Sequence, residues 1–149
     1  MTSSYLVFLL AGKLFGVRLI GALEILPWRR SRIVPLSHAH VEGLIDYRGI
    51  VYPVFNLERR LGMSKTGPIG FTAAEQKRPA TGQSIILLED NNVPFGIVVD
   101  SVVKMAKLDD PLAASAKTSG VNSEYVRGTV FDDDQEIIIL NCERLIHAG

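Results

Sequence analysis

The side chains able to do chemistry are few and lie far apart in this 149-residue chain. Glu24, Glu42 and Asp100 are carboxylates among apolar residues, where burial could raise their pKa values. His38 and His40 could bind a metal from one side of a strand, but no cysteine or third ligand lies near them in the sequence. Hydrogen-bonded carboxylates and surface histidines are the favoured interpretations, so neither a metal nor a cofactor is predicted.

A reaction centre needs a nucleophile, a base and a group that orients the base, or else a loop that cradles a cofactor. The sequence has no glycine-rich phosphate loop, no His-Glu-x-x-His motif and no Gly-x-Ser-x-Gly motif. Its one cysteine, Cys142, lies in an apolar run, where a buried and inert thiol is expected. We therefore predict no catalytic residues and a protein that is not an enzyme.

The charges and the single cysteine limit the partners and the compartment. Sixteen basic residues balance sixteen acidic ones, so no basic field indicates nucleic acid or an anionic membrane. The apolar stretch from Tyr5 to Leu26 is interrupted by Lys13, Arg18 and Glu24, which argues against a membrane helix or a signal peptide. With no intrachain disulfide possible, a soluble protein of the reducing cytoplasm is expected. The basic patch Trp28–Arg32 is either a solvated loop or a site for phosphate or an acidic partner.

The elements that must position these residues are short strands, and the segment from Val41 to Leu57 is central. Its β-branched and aromatic residues predict a strand from Gly49 to Phe55, at a sheet edge or with a bulge because Pro53 has no N–H. Gly43 and Gly49 bracket a turn or bend that displays Arg48 beside apolar groups. Arg48 is then either a core-edge residue bound to local carbonyls or an exposed anchor for a partner.

Further apolar runs predict strands separated by turn residues: Tyr5–Leu10 and Leu14–Ile20, Ser84–Glu89 and Val93–Met105, and Tyr125–Phe131 and Glu136–Leu140 around an aspartate-rich turn. Glu58–Gly62 indicates one helical turn closed by glycine, and Met63–Gln83 and Asp109–Val121 indicate long polar loops.

Three short motifs recur in the same order along the chain: Phe15-Gly16-Val17 as Phe95-Gly96-Ile97, Arg48-Gly49-Ile50-Val51 as Arg127-Gly128-Thr129-Val130, and Asn56-Leu57-Glu58-Arg59 as Asn141-Cys142-Glu143-Arg144. Two similar β-rich halves favour a pair of small barrels. The prediction is one domain over residues 1–149, with a first lobe at about 5–62, a linking loop at 63–83 and a second lobe at 84–147. Whether Tyr5–Leu10 pairs within the first lobe or crosses to the second stays open.

The chain resembles the CheW-like family of chemotaxis coupling proteins over nearly its whole length. The resemblance rests on these segments: Phe15-Gly16-Val17, Leu23-Glu24-Ile25, Val41–Ile45 running into Arg48–Val54, Asn56-Leu57, Leu61-Gly62, Phe95–Val102 and Tyr125–Gly128. It implies an all-β fold of two SH3-like five-stranded β-barrel lobes around a shared core, with short helical turns.

The resemblance also implies an adaptor that bridges a chemotaxis histidine kinase, through its regulatory domain, to the cytoplasmic tip of methyl-accepting receptors. By position, Arg48, Gly43 and Glu24 fall where the family's partner-binding determinants cluster. Ala22, Val98 and Val102 match positions near the receptor-facing groove. The expected location is the cytoplasm, at receptor clusters on the inner membrane, without membrane insertion.

Two departures from the family pattern leave alternatives open. Asp46-Tyr47 stands where the family usually has Asn-Leu, so Asp46 could pair with Arg48, and Ala22 stands where a valine is usual. One alternative is an adaptor of a non-flagellar pathway, such as pilus motility or another receptor–kinase system. The other is a small-ligand sensor that uses the groove between the lobes, with Glu24 or Asp100 as its polar group.

Overall fold

The computed structural model describes residues 2–28, 41–63, 83–109, 111–113, 121 and 123–147. The strands are β1 Thr2–Leu10, β2 Lys13–Arg18, β3 Ala22–Pro27, β4 Val41–Tyr47, β5 Ile50–Phe55, β6 Ser84–Asp90, β7 Val93–Val99, β8 Ser101–Asp109, β9 Leu112–Ala113, β10 Val126–Asp132 and β11 Gln135–Leu140. The helices are α1 Leu57–Arg60 and α2 Cys142–His147, and short 3-10 turns lie at Leu19–Gly21 and Ser123–Tyr125. No helix in these ranges is both long and apolar enough to cross a membrane.

The strands form two sheets, which confirms the predicted all-β, two-lobe fold. Sheet A has the order β8-β1-β2-β11-β10-β9, and sheet B has the order β3-β6-β7-β5-β4. We call the lobe built on each sheet lobe A and lobe B. Sheet A curls strongly, as shown by an ion pair between Lys104 of β8 and Asp132 of β10, which lie far apart in the sheet order.

The two sheets exchange strands between the two halves of the sequence. Sheet A combines β1 and β2 with β8, β10 and β11, whereas sheet B combines β3, β4 and β5 with β6 and β7. The chain crosses between the sheets at Leu19–Gly21 and again at Asp100. The division of the sequence at 5–62 and 84–147 therefore differs from the division into sheets. Tyr5–Leu10 pairs with β2 and β8 and so lies in a sheet with second-half strands.

The described residues form three apolar clusters: a central cluster between the sheets, a sheet A cluster on the other face of sheet A and a sheet B cluster on the other face of sheet B. In β1, Leu6 and Phe8 belong to the central cluster, whereas Tyr5 and Val7 belong to the sheet A cluster. A strand that is buried on both faces has no polar alternation. This explains why the runs in β1, β6 and β11 are continuously apolar.

The repeat is real, but one of its three matches is wrong. Gly16 and Gly96 are equivalent, since each lies in a parallel pair, Gly16 opposite Ile139 and Gly96 opposite Val54. The Arg48-Gly49 motif, however, forms the turn between β4 and β5, whereas Arg127-Gly128 lies within β10.

Strand register gives the correct equivalence of the two hairpins. A register shift precedes Gly43, which pairs with Val54, and the same shift precedes Gly128, which pairs with Ile139. Gly43 is therefore the counterpart of Gly128, and the turn residue Arg48 is the counterpart of Asp133. A short Arg-Gly match can arise by chance, whereas the register is fixed by the hydrogen bonds of the ladder.

Each hairpin runs into a helix that begins at an asparagine cap. The side chain of Asn56 accepts a hydrogen bond from the Arg59 amide at 3.0 Å, and Asn141 accepts one from the Arg144 amide at 3.3 Å. Gly62 follows α1 with a φ of +74°, which confirms the predicted helical turn closed by glycine.

The remaining sequence predictions have mixed outcomes. The predicted hairpins of β1 with β2 and of β10 with β11 are confirmed, with two-residue turns. The predicted run Val93–Met105 is instead divided at Asp100 into β7, which pairs with β6, and β8, which joins sheet A. Strand β5 is not at an edge, since it lies between β4 and β7, and its pairing with β7 begins at Val54, one residue after Pro53. The polar stretch Asp109–Val121 contains the short strand β9 rather than only a loop. His38, His40, Arg29–Arg32 and most of Met63–Gln83 lie outside the described residues.

Candidate partner-binding site

Arg48 lies at the tip of the β4–β5 hairpin, in a left-handed backbone conformation that is unfavourable for arginine. Arg48 and Gly49 form a two-residue turn with φ values of +53° and +80°, as a type I′ turn requires. The other two-residue hairpin turns of the described chain are Ala11-Gly12, Asn91-Asn92 and Asp133-Asp134. Asparagine, aspartate and glycine tolerate the left-handed region, whereas for other residues it costs about 1–2 kcal/mol. The exposed tip thus retains an arginine at a conformational cost.

The surroundings of Arg48 combine one cation with apolar surface. Its guanidinium carbon lies 5.3 Å from the ring centroid of Tyr47, which packs against the sheet B cluster. Ile50 and Val51, which follow the turn, are 48% and 42% exposed. Arg48 itself is exposed, so it is not a core-edge residue, and its role as a partner anchor stays a prediction.

Gly43 is buried in β4, where the register shift places it opposite Val54. The neighbouring Glu42 has a raised pKa because burial disfavours its charge, although Arg59 and a hydrogen bond from Asn56 act in the opposite direction. That bond runs from Nδ2 of Asn56 to Oε1 of Glu42 at 3.3 Å. Gly43 therefore shapes the strand that carries Arg48 and offers no side chain to a partner.

Ala22 and Glu24 lie on β3, at the opposite end of sheet B from β4 in the strand order. Glu24 is exposed opposite Leu87, and Ala22 is half-buried against the central cluster. Leu26 of β3 packs against the same sheet B cluster as Tyr47 of β4. Sheet B therefore curls so that its two ends cover one cluster.

Val98 and Val102 lie on different sheets. Val98 is 8% exposed in β7 and belongs to the sheet B cluster, so it is a core residue. Val102 is half-buried in β8 of sheet A and packs against the central cluster, as Ala22 does from sheet B. The six residues are thus divided among the Arg48 hairpin, the β3 edge, the core and the junction between the lobes.

An open groove of about 600 Å³ runs along lobe A. Its lining is mixed: Leu9, Gly12, Lys13, Leu14, Val103, Lys104, Gln135, Glu136 and Ile138. Neither Glu24 nor Asp100 lines it. The carboxylate of Asp100 instead accepts hydrogen bonds from the Ala11 amide at 2.8 Å and from Nε2 of Gln83 at 3.2 Å. The polar groups proposed for a ligand sensor are therefore absent from this groove.

Sequence reasoning did not find several notable side chains. Ile20, Met105 and Phe131 are 90%, 65% and 69% exposed, and Arg60 is buried. Exposure of one apolar residue within an apolar run leaves no signal in sequence periodicity.

Cys142 is partly buried. Burial, together with the nearby Asp90 carboxylate, raises the pKa of its thiol to about 12, although Arg127 acts to lower it. The thiol is therefore neutral at physiological pH.

Comparison with known proteins matches the chain to one family. The family model described as a CheW-like domain covers residues 4–149. The chemotaxis protein CheW of Treponema pallidum is 25% identical over 143 residues, covering 95% of this chain and 80% of that protein. The chemotaxis protein CheW of Thermotoga maritima is 31% identical over 113 residues, covering 76% of this chain and 67% of that protein. The crystal structure of the scaffolding protein TtCheW from Thermoanaerobacter tengcongensis superposes with a TM-score of 0.80 at 25% identity, covering 99% of this chain and 94% of that one.

Proposed function

The chain belongs to the CheW-like family of chemotaxis adaptors, and we propose that its Arg48 hairpin binds the regulatory domain of a chemotaxis histidine kinase. The observation that carries this proposal is the exposed arginine at a positive φ between an aromatic ring and apolar residues. Backbone strain is frequent at functional sites, but Ala11 has the same conformation in the β1–β2 turn, so the proposal depends on the exposed cation and its apolar surroundings. An arginine beside apolar surface is also typical of the residues that dominate binding energy at interfaces.

Glu24 and Gly43 would contribute to this binding in different ways. Glu24, on the exposed face of β3, would supply a polar contact at the rim of the interface. Gly43 would act indirectly, because the register shift at that position aims the end of β4. Removing a rim charge mainly changes association rate and salt dependence, so Glu24 should contribute less than Arg48.

The receptor tip would bind at the junction between the lobes. Ala22 from sheet B and Val102 from sheet A are both half-buried against the central cluster. An apolar junction of this kind suits the apolar face of an amphipathic helix. Val98 would act indirectly, by packing in the sheet B cluster beneath the surface of lobe B. The adaptor would then hold kinase and receptor on two surfaces, in the cytoplasm at receptor clusters, so that a receptor change biases kinase activity.

Calorimetric titration with the kinase regulatory domain from the same genome tests the first surface. Wild-type protein should bind with micromolar or tighter affinity, and Arg48→Glu should bind at least about tenfold more weakly, as expected for an interface arginine. The thermal midpoint should stay nearly unchanged, because substitutions at exposed sites usually alter stability by about 0.5 kcal/mol or less.

Arg127→Glu is the matched control, since Arg127 is also exposed, undergoes the same charge change and lies in β10. It should leave the affinity unchanged. Equal weakening by both variants would mean a general charge effect and would remove Arg48 as a specific anchor. Unfolding of Arg48→Glu would show that the residue is structural.

A further inference from the structure

Among the described residues, Arg60 is the one charged side chain that is fully buried, with 5% of its surface exposed. It ends the short helix α1, which follows the last strand of the β4–β5 hairpin. Arginine is almost never buried to this degree unless its charge is compensated. Its surroundings therefore indicate what it does.

The contacts of Arg60 come from both lobes. Its Nη2 donates a hydrogen bond to the carbonyl oxygen of Leu145 at 2.7 Å, in helix α2, which follows sheet A. Its guanidinium carbon lies 5.5 Å from the ring centroid of Phe55, in sheet B. It lies equally far, 5.5 Å, from the ring centroid of Tyr125, which leads into β10 of sheet A. One guanidinium thus joins an aromatic ring from each lobe and the backbone of a helix.

The repeat explains why this contact occurs only once. The capping residues Asn56 and Asn141 are equivalent, so Arg60 of α1 is the counterpart of Leu145 of α2. Arg60 therefore donates to the backbone of its own counterpart, at the place where the two halves meet. Two arginines there would place like charges together in a poorly solvated interior. An arginine in one half and a leucine in the other avoid this repulsion and leave a carbonyl to accept the bond.

The crossing at Asp100 is a second polar contact between the lobes, since its carboxylate accepts hydrogen bonds from the Ala11 amide of lobe A and from Gln83 beside β6 of lobe B. Away from that crossing, the contacts between the lobes are mostly apolar. The central cluster takes side chains from both sheets, for example Phe8 and Phe15 from sheet A and Phe95 from sheet B. Apolar burial is strong but non-directional, so such an interface permits more than one relative orientation. A planar guanidinium with fixed donor directions restricts the orientation.

We propose that Arg60 is a positioning residue that fixes the orientation of lobe A relative to lobe B. It thereby sets the spatial relation between the Arg48 hairpin on lobe B and the junction surface near Val102 of lobe A. The second statement rests on the proposed adaptor function, whereas the first does not.

Distance measurement between the lobes tests the proposal directly. Spin labels at Glu89→Cys in sheet B and Lys107→Cys in sheet A, both exposed, report the distance distribution by double electron–electron resonance in a Cys142→Ser background. Arg60→Leu places at position 60 the same residue type as its counterpart Leu145. Arg60→Met keeps an unbranched aliphatic side chain of similar length. Both should fold, because the aliphatic side chains fill the apolar space between Phe55 and Tyr125, although the Leu145 carbonyl loses its donor and the free energy of unfolding should fall. Their distributions should be at least about twofold broader than that of wild type, since the lobes would sample alternative packings.

Two further variants separate positioning from other effects. Arg60→Lys keeps a donor and should give a distribution between wild type and Arg60→Leu. Arg144→Met removes the same charge from an exposed position on α2 and should leave the distribution unchanged. Wild-type widths in both Arg60→Leu and Arg60→Met would overturn the proposal. Failure of both to fold would also overturn it, because Arg60 would then be needed for stability itself.

A binding measurement links the orientation to function. In wild type, a saturating receptor fragment should change the affinity for the kinase domain, and Arg60→Leu should lose this coupling while each partner alone binds as before. If Arg60→Leu kept the coupling between receptor and kinase binding, lobe orientation would not control adaptor activity. If wild type bound neither partner, the adaptor proposal would fail, and the distance distributions would still decide the role of Arg60.

Discussion

The backbone at the tip of the β4–β5 hairpin predicts that Arg48→Asn stabilises the protein while it removes partner binding. Arg48 has a φ of +53°, in the left-handed region that asparagine adopts readily. Relief of this conformation contributes about 1 kcal/mol. Loss of the exposed contact with the Tyr47 ring costs about 0.5 kcal/mol. The net gain in the free energy of unfolding is then about 0.5 kcal/mol, or roughly 1–2 °C in the thermal midpoint.

The reverse substitution is available in the same protein. Asn91 begins the β6–β7 turn with a φ of +50°, close to that of Arg48. Asn91→Arg places an arginine in the left-handed region without removing a known contact, so it should lower the free energy of unfolding by about 1 kcal/mol. The two substitutions exchange the same two residue types at equivalent turn positions, so their effects should have opposite signs.

Urea denaturation at constant temperature, followed by fluorescence of Trp28, measures both effects, and calorimetry with the kinase domain measures binding. The double variant should be less stable than Arg48→Asn alone by the cost of Asn91→Arg, because the two turns are separate. If Arg48→Asn were no more stable than wild type and Asn91→Arg no less stable, the argument from backbone strain would be refuted. Binding retained by Arg48→Asn would refute the functional reason for the strain.

Three further predictions follow from buried groups and caps. The pKa of Glu42 is raised in the folded state, so as pH rises from about 4.5 the unfolded chain loses this proton first and wild type loses stability up to the raised value. The stability of Glu42→Gln relative to wild type should therefore increase between pH 4 and pH 7 in urea denaturation, and a constant difference would contradict the burial argument. Cys142, with its pKa raised to about 12, should react with iodoacetamide at pH 8 far more slowly in folded protein than in urea, and equal rates would show an accessible thiolate. Asn56→Ala should cost about 1 kcal/mol through loss of the α1 cap, whereas Asn141→Ala, whose cap bond is longer, should cost less; the reverse order in thermal denaturation would contradict the cap geometry.

The candidate site could be predicted only in part. The turn at Arg48-Gly49 follows from local composition, since glycine tolerates a positive φ and the flanking residues favour strands. The buried positions of Val98 and Gly43 do not follow from their residue types, because the same residues suit an exposed groove. The asymmetric contact of Arg60 with Leu145 joins residues far apart in the chain, and no periodicity reports it.

The sequence by itself determined most of the strands, the tight turns, the helical turn before Gly62, the doubled architecture and the family. These features depend on local conformational preference and on apolar runs, which act within a few residues of the chain. Only the tertiary structure decided that β1 and β2 join second-half strands, that Arg48 corresponds to Asp133 rather than to Arg127, and that Arg60 meets its own counterpart. Strand exchange, register and contacts between the lobes depend on the packing of the whole central cluster, which places no local constraint on residue type.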